Sequence, residues 1–294
     1  MYRNQFTIAE PVQISGTGYW SGLQVNVEFR PAPADAGITF VRKDLGGQPR
    51  IPVAPHNCVD IPRRTCIQSG AASVEMIEHI MAALAGLKID NCEVWVDRAE
   101  LPAFDGSCID VVHALNQAGV TDQQVGKPVL EVTEVIRVEQ NDSWIVAMPN
   151  SLSDDPGCNS LSLRYELEYE AQAIGCQEIE LVVTPEAFIS ELAPARTFLL
   201  EKEAAWLQSQ GLGRNVSFQD LLVFGENGVI DNQLRFENEC VRHKALDVVG
   251  DLAVAGFDIA GTIVAHKSGH QLNGKFVRHL THLFEESGLS KKSA

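Results

Sequence analysis

No segment of this 294-residue chain approaches the roughly 18 consecutive apolar residues that a membrane-spanning helix requires. The greasiest stretch, Ala245 to Ala265, is interrupted by Asp247, Asp251 and Asp258. The opening residues MYRNQFTIAEPVQ lack the basic start, apolar run and small-residue cleavage site of a secretory signal, so a soluble, cytoplasmic protein is expected. Basic residues are scarce, 23 against 39 acidic ones for a net charge of −16, which argues against a broad nucleic-acid surface. The seven cysteines (Cys58, Cys66, Cys92, Cys108, Cys158, Cys176, Cys240) form no CxxC pair and no regular spacing, which suits reduced, mostly buried thiols better than a disulfide framework. GxSxG, P-loop and HExxH motifs are missing, and Gly211 and Gly213 in GLGRNVS lack the third glycine of a dinucleotide fingerprint. With 45% hydrophobic and 21% charged residues the chain is neither disordered nor fibrous, and it can bury the core of one large domain or two ordinary ones.

Several stretches alternate in the manner of half-buried strands: Gln24 to Phe29, Cys92 to Val96, Val129 to Val138 and Leu161 to Tyr169. Ser73 is placed to cap a helix whose apolar stripe is Val74, Met76, Ile77, Ile80, Met81 and Leu84, with Gly86 as its left-handed end and Glu75, Glu78, His79 and Ala82 on the opposite face. A second helix is expected from about Asn238 to Ala255, with His243, Asp247 and Asp251 at i, i+4, i+8 opposite its apolar side. After each helix a similar string returns, ALAGLKIDNCEVWVD at 83–97 and AVAGFDIAGTIVAHK at 253–267, an offset of 170 residues. Together with the polar stretch Gln117 to Lys127, this weak repeat suggests two α/β halves joined near Gly126, 1–126 and 127–294, with a cleft between them. The region Pro194 to Gly228 reads as an elaboration of the second half.

His243 and Asp247, one helical turn apart, can direct an imidazole and a carboxylate at one cation, and His79 can supply a third ligand. Two His and one carboxylate suit a catalytic zinc with a fourth position left for water, although the same spacing also describes a solvated helix face. Glu78, directly before His79, is a candidate proton acceptor, or simply one of an exposed pair. His270 follows a strand in a glycine-containing turn, and Asp251 can orient such a His through its other ring nitrogen. Thr197, in the string PARTF, can aim a hydroxyl at an oxyanion or serve only as a turn residue. The segment His266 to Phe284 carries no Asp or Glu but holds Lys267, Lys275, Arg278 and four histidines, a local basic exception of the kind an anionic small substrate needs.

Taken jointly, IEHIMAALAGLKIDN, LPAFDGS, APARTF, RFENECVRHKALDVVGDLAVAG and HKSGHQLN resemble, in order and over nearly the whole chain, the signature blocks of the zinc-dependent UDP-3-O-acyl-N-acetylglucosamine deacetylases of lipid A synthesis. RPAPADAG near the start is similar as well. The resemblance implies two similar α/β domains (α+β type), each a layered sandwich of sheet and helices, with zinc held between them by His79, His243 and Asp247. It further implies Glu78 as general base, Lys244 and His270 as groups that stabilise or protonate the reacting atoms, Asp251 as the holder of His270, and Thr197 as an oxyanion partner. The substrate is then a UDP-sugar whose acyl chain runs through the insert near 194–228, with Phe198, Leu199 and Leu200 as candidate lining and Lys267 as a candidate substrate contact.

One departure stands out: GTGYWSG places Tyr19 and Trp20 where the family commonly reads Leu and His. A deacetylase of a different acylated amino sugar would keep every catalytic residue and differ only in the pocket, where Trp20 is a candidate difference. A non-catalytic zinc or acyl-chain binding protein on the same scaffold is the other alternative; such a binder has no use for Glu78, Lys244 and His270 beside the metal.

Overall fold

The computed structural model of the chain describes residues 3–150, 160–213 and 216–287. Cys158, Arg214 and Asn215 of the insert, and residues 288–294 lie outside them. The architecture is mixed α/β, built on two mixed sheets with the same strand order. The first runs Val12–Thr17, Gln24–Pro31, Cys92–Val96, Ile38–Arg42, Arg50–Pro52; the second runs Ile136–Gln140, Ser143–Met148, Asp258–His266, Leu161–Glu168, Cys176–Val182. In each, two hairpins flank a central strand that comes last in sequence, antiparallel to the first hairpin and parallel to the second. Those central strands are the ones that end the repeated strings 83–97 and 253–267, so the two strings occupy equivalent places. Alternate residues point to opposite faces, which is why Val25, Val27 and Phe29 of Gln24–Pro31 are fully buried while their neighbours are not.

The stretch expected as one strand from Val129 to Val138 is broken into Val129–Glu131, which pairs in parallel with Asp258–His266, and Ile136–Gln140. The polar stretch Gln117 to Lys127 is not a loose connection: Val120–Gly126 is a strand paired with Asn4–Ile8.

The principal helices are α1 (Glu78–Gly86), α2 (Ile109–Ala118), α3 (Glu201–Ser209), α4 (Glu239–Ala253) and α5 (His270–Glu286). Helix α1 starts five residues later than Ser73. Ala72–Glu75 is instead a strand paired with Arg64–Ser69, burying Ala72 and Val74 at period two, and Met76 takes a left-handed backbone that no helix can propagate. Glu75 is therefore off the helix, in an ion pair with Arg64. At the other end Gly86 remains helical against the Phe188 ring, and Lys88 is the left-handed residue.

Helices α1 and α4 cross in the molecular core. At Gly250 a Cβ would stand 2.1 Å from the Glu78 carbonyl oxygen, so only glycine lets the two backbones approach this closely. That crossing brings the first turn of α1 against the polar residues of α4. His243, Asp247 and Asp251 are consequently buried rather than solvated.

Each sheet carries a three-stranded insert between its second hairpin and its long helix: Cys58–Ile61, Arg64–Ser69, Ala72–Glu75 in the first half and Phe198–Leu200, Leu222–Gly225, Gly228–Val229 in the second. The six described cysteines are all free, and Cys66, Cys92, Cys108 and Cys240 are buried.

Candidate metal centre and catalytic cleft

A cleft of about 550 Å³ opens where the two inserts, the starts of α1 and α5 and one face of α4 meet, and Glu78, His79, His243, Lys244, Asp247 and His270 all line it. Ligand atoms of His79, His243 and Asp247 lie within 4.8 Å of one another. The Asp247 Oδ1 is 3.7 Å from His79 Nε2 and 3.5 Å from His243 Nε2. His243 Nδ1 faces the Ala195 carbonyl at 3.1 Å; because a carbonyl only accepts, Nδ1 carries the proton and Nε2 presents its lone pair to Asp247. Burial lowers the basicity of both rings, His79 to about 3, so both are neutral donors at physiological pH.

Asp247 Oδ2 accepts from Lys244 Nζ at 2.8 Å, whereas Oδ1 is buried with no hydrogen-bond partner. A desolvated carboxylate oxygen left in that state is costly. A divalent cation among two neutral imidazole nitrogens and this oxygen is the physical account of it, and the three residues fit such an ion. Burial alone would protonate Asp247; Lys244, His243 and His270 around it hold its carboxyl below the usual range. Lys244 in turn stays charged despite desolvation because Asp247 is beside it.

Glu78 opens α1 and is 4% exposed, and this burial lifts its carboxyl to about 7. One oxygen, Oε2, accepts from the Thr65 backbone N–H at 3.0 Å. His270, the first residue of α5, also lines the cleft; it donates Nδ1–H to Asp251 Oδ2 at 2.9 Å, leaving Nε2 3.9 Å from Asp247 Oδ2. Desolvation opposes protonation of His270, but Asp251 and Asp247 outweigh it and push the ring up to about 10. Glu78 and His270 thus line the same cleft as His79, His243 and Asp247.

Thr197 lines the cleft, and its backbone N–H donates to the Gly106 carbonyl at 2.8 Å. Gly106, in the string LPAFDGS, sits at φ 86° with Thr197 3.0 Å from where a Cβ would be, a contact only glycine accepts. The preceding Arg196 is buried on Glu239, which accepts from its Nε at 2.8 Å and its backbone N–H at 3.0 Å and so ties this loop to the start of α4.

Phe198 and Leu199 line the cleft. Leu199 and Tyr19 also line an adjoining apolar chamber of about 140 Å³ with Leu207, Leu212, Val216 and Leu221. Leu200 does not line that chamber: strand parity puts it on the Phe198 side, in a depression that shares Ser143, Tyr169, Lys244 and Lys267 with the cleft. Lys267 stands at the cleft rim, ion-paired with Asp142. Trp20 is in the cleft wall, under the Arg64 guanidinium at 5.2 Å, and Glu100 accepts from the backbone N–H groups of Trp20 and Ser21. Four contributors take no role from any motif in the sequence: Thr65, Asn273, whose Nδ2 donates to Asp251 Oδ2 at 2.8 Å, the Ala195 carbonyl and Gly250. Only Gly250, a glycine inside a helix, carried a signal.

A family model described as UDP-3-O-acyl N-acetylglycosamine deacetylase matches residues 5–282. The chain is 35% identical over 279 residues to the UDP-3-O-acyl-N-acetylglucosamine deacetylase of Oleidesulfovibrio alaskensis, covering 95% of this chain and 89% of the relative. The proteins of the same name from Haemophilus influenzae and Anaeromyxobacter sp. are 34% and 35% identical over 278 residues, covering 93% and 94% of this chain and 88% of each relative.

Proposed function

The chain belongs to the UDP-3-O-acyl N-acetylglycosamine deacetylase family, and we propose that it works at this cleft by metal-assisted amide hydrolysis. It hydrolyses the N-acetyl group of UDP-3-O-acyl-N-acetylglucosamine, releasing acetate and the free amine for lipid A biosynthesis. The observation that carries the metal reading is the buried, partnerless Asp247 Oδ1 between two neutral imidazoles. Zinc is the ion this two-His, one-carboxylate set suits best; bound there, it supplies Lewis acidity to the carbonyl and to water.

The protein's own groups divide the remaining work. Glu78, poised near neutrality by its burial, removes a proton from the attacking water with the oxygen that Thr65 leaves free. Lys244 and Thr197 stand on the cleft wall where negative charge develops on the acetyl oxygen. His270, held by Asp251, delivers its Nε2 proton to the departing sugar amine. Phe198 and Leu199 receive the acyl chain, which the apolar chamber behind Leu199 continues, and the rim ammonium of Lys267 meets the anionic nucleotide. Leu200 lines the depression that joins the cleft at Tyr169 and Lys244, a second route for an acyl chain.

The repeated sheet topology supports two α/β domains, 1–126 and 127–294, with the metal site at their junction. No helix of the described residues is long and apolar enough to cross a membrane, and the free cysteines suit a reducing cytoplasm. Tyr19 and Trp20 in the cleft wall support a second reading, a different acylated amino sugar as substrate. Acetate release from a panel of acetylated UDP-sugars, with and without the 3-O-acyl group, separates the two. Turnover confined to the acylated glucosamine derivative supports the first, and preference for another sugar supports the second.

A further inference from the structure

Thr65 belongs to the first half's insert, in the strand Arg64–Ser69, and touches both sides of the proposed proton-transfer machinery. Its backbone is bound twice to the start of α1: the N–H donates to Glu78 Oε2 at 3.0 Å, and the C=O accepts from the Ile77 N–H at 3.2 Å. Its hydroxyl reaches into the second half, donating to Asp251 Oδ1 at 2.6 Å. The other oxygen of Asp251 accepts from His270 Nδ1 at 2.9 Å and from Asn273 Nδ2 at 2.8 Å. Asp251 is 3% exposed, so a donor that is lost leaves a buried carboxylate oxygen short of a protein partner. Thr65 Oγ1 also lies 3.3 Å from His270 Nδ1, close enough to sense any rotation of that ring.

We infer that Thr65 is a positioning residue for the deacetylation, a latch that fixes the carboxylate of Glu78 through its backbone and the Asp251–His270 pair through its hydroxyl. The geometry requires it to act through others, because its N–H and its hydroxyl are spent on the two carboxylates, its C=O accepts from Ile77, and Thr65 is not among the residues that line the cleft. Without the hydroxyl, Asp251 Oδ1 loses its donor and only the Oδ2 bonds to His270 and Asn273 hold the carboxylate, so the His270 ring is less firmly fixed. Outer-shell partners of this kind are commonly worth 10- to 100-fold in activity. The inference rests on the assignment of Glu78 and His270 as base and acid.

The test compares Thr65→Val, which keeps the β-branched shape and the backbone N–H but deletes the hydroxyl, with Thr65→Ser, which keeps the hydroxyl. Both are made in the full-length, metal-loaded protein, with metal content and thermal midpoint recorded. Thr65→Val is expected to lose about 10- to 100-fold in kcat with KM unchanged, and Thr65→Ser to recover kcat to within about threefold. The His270 Nδ1 proton resonance, assigned by its disappearance in His270→Ala, is expected to shift in Thr65→Val and return in Thr65→Ser. Wild-type kcat and an unmoved resonance in Thr65→Val overturn the inference, as does an equal loss of rate in both variants. If the wild type itself releases no acetate, that failure falls on the proposed activity, and the resonance still decides whether Thr65 holds the pair.

Discussion

Replacing Gly250 by alanine puts a methyl group 2.1 Å from the Glu78 carbonyl oxygen, 3.0 Å from its carbonyl carbon and 3.2 Å from the Ala82 Cβ. The nearest neighbour is backbone, with no flexible side chain to swing aside, so α1 and α4 must separate by roughly an ångström to restore van der Waals contact. Overpacking of this kind costs about 1–3 kcal/mol, with an immovable backbone placing it toward the upper end, and alanine's better helix propensity returns about 1 kcal/mol. The net loss is about 2 kcal/mol, a fall of several degrees in the thermal midpoint of a chain this long. Activity should suffer more than stability. Glu78 sits at the contact, and an ångström of displacement between reacting groups costs on the order of 100-fold in rate. Gly274→Ala is the matched control: it is also inside a helix, but its nearest neighbour is the tip of Arg278 at 3.7 Å, so propensity alone acts and the variant should be slightly stabilised and fully active. Calorimetry and acetate release on both variants make the comparison. A Gly250→Ala protein as stable and active as wild type would refute the close-crossing argument.

Leu199→Asp should weaken substrates bearing the acyl chain by up to a few kcal/mol relative to one lacking it; kinetics on the two substrates read the difference, and an equal effect on both would remove Leu199 from the passage. The rate should depend on pH through two groups. Glu78, raised to about 7 by burial, must be ionised, so kcat/KM falls as pH drops through that value. His270, raised to about 10 against its burial by Asp251 and Asp247, must be protonated, so the rate falls as pH rises through that region. Glu78→Gln should cost roughly 100- to 10,000-fold and flatten the acidic limb, and His270→Ala should flatten the alkaline one; an unchanged profile in either variant moves that role to another group. Glu239→Ala leaves the buried Arg196 guanidinium without its carboxylate and should cost about 3–5 kcal/mol in denaturant unfolding, with a loss under about 1 kcal/mol contradicting the role given to that pair.

The strands were legible because period-two burial shows directly in stretches such as QVNVEF and CEVWV, whose neighbours in the fold confirm the faces. The start of α1 was not. Ala72, Val74, Met76 and Ile77 fit either a helical stripe or a strand running into a turn, and the left-handed Met76 that decides between them leaves no trace in hydrophobicity. The same holds for Leu199 and Leu200, whose opposite destinations depend on how Phe198–Leu200 pairs with Leu222–Gly225. For the site, spacing alone could not distinguish His243 and Asp247 from a solvated face. The ordered blocks of family resemblance made them candidate ligands, and the buried crossing of α1 and α4 supplies the physical reason they are not solvated. Thr65 and the Ala195 carbonyl were out of reach, since a hydroxyl on a strand and a backbone oxygen become partners only through contacts between residues far apart in sequence.

Whether His79, His243 and Asp247 hold a catalytic metal is decided by measuring bound zinc and acetate release on the same preparations of wild type, His243→Ala and Lys244→Ala. Wild type is expected to carry about one zinc per active chain, His243→Ala to lose most of its metal and activity, and Lys244→Ala to retain metal at a reduced rate. A metal-free wild type that still releases acetate, or equal metal loss in both variants, would contradict this assignment of the ligands.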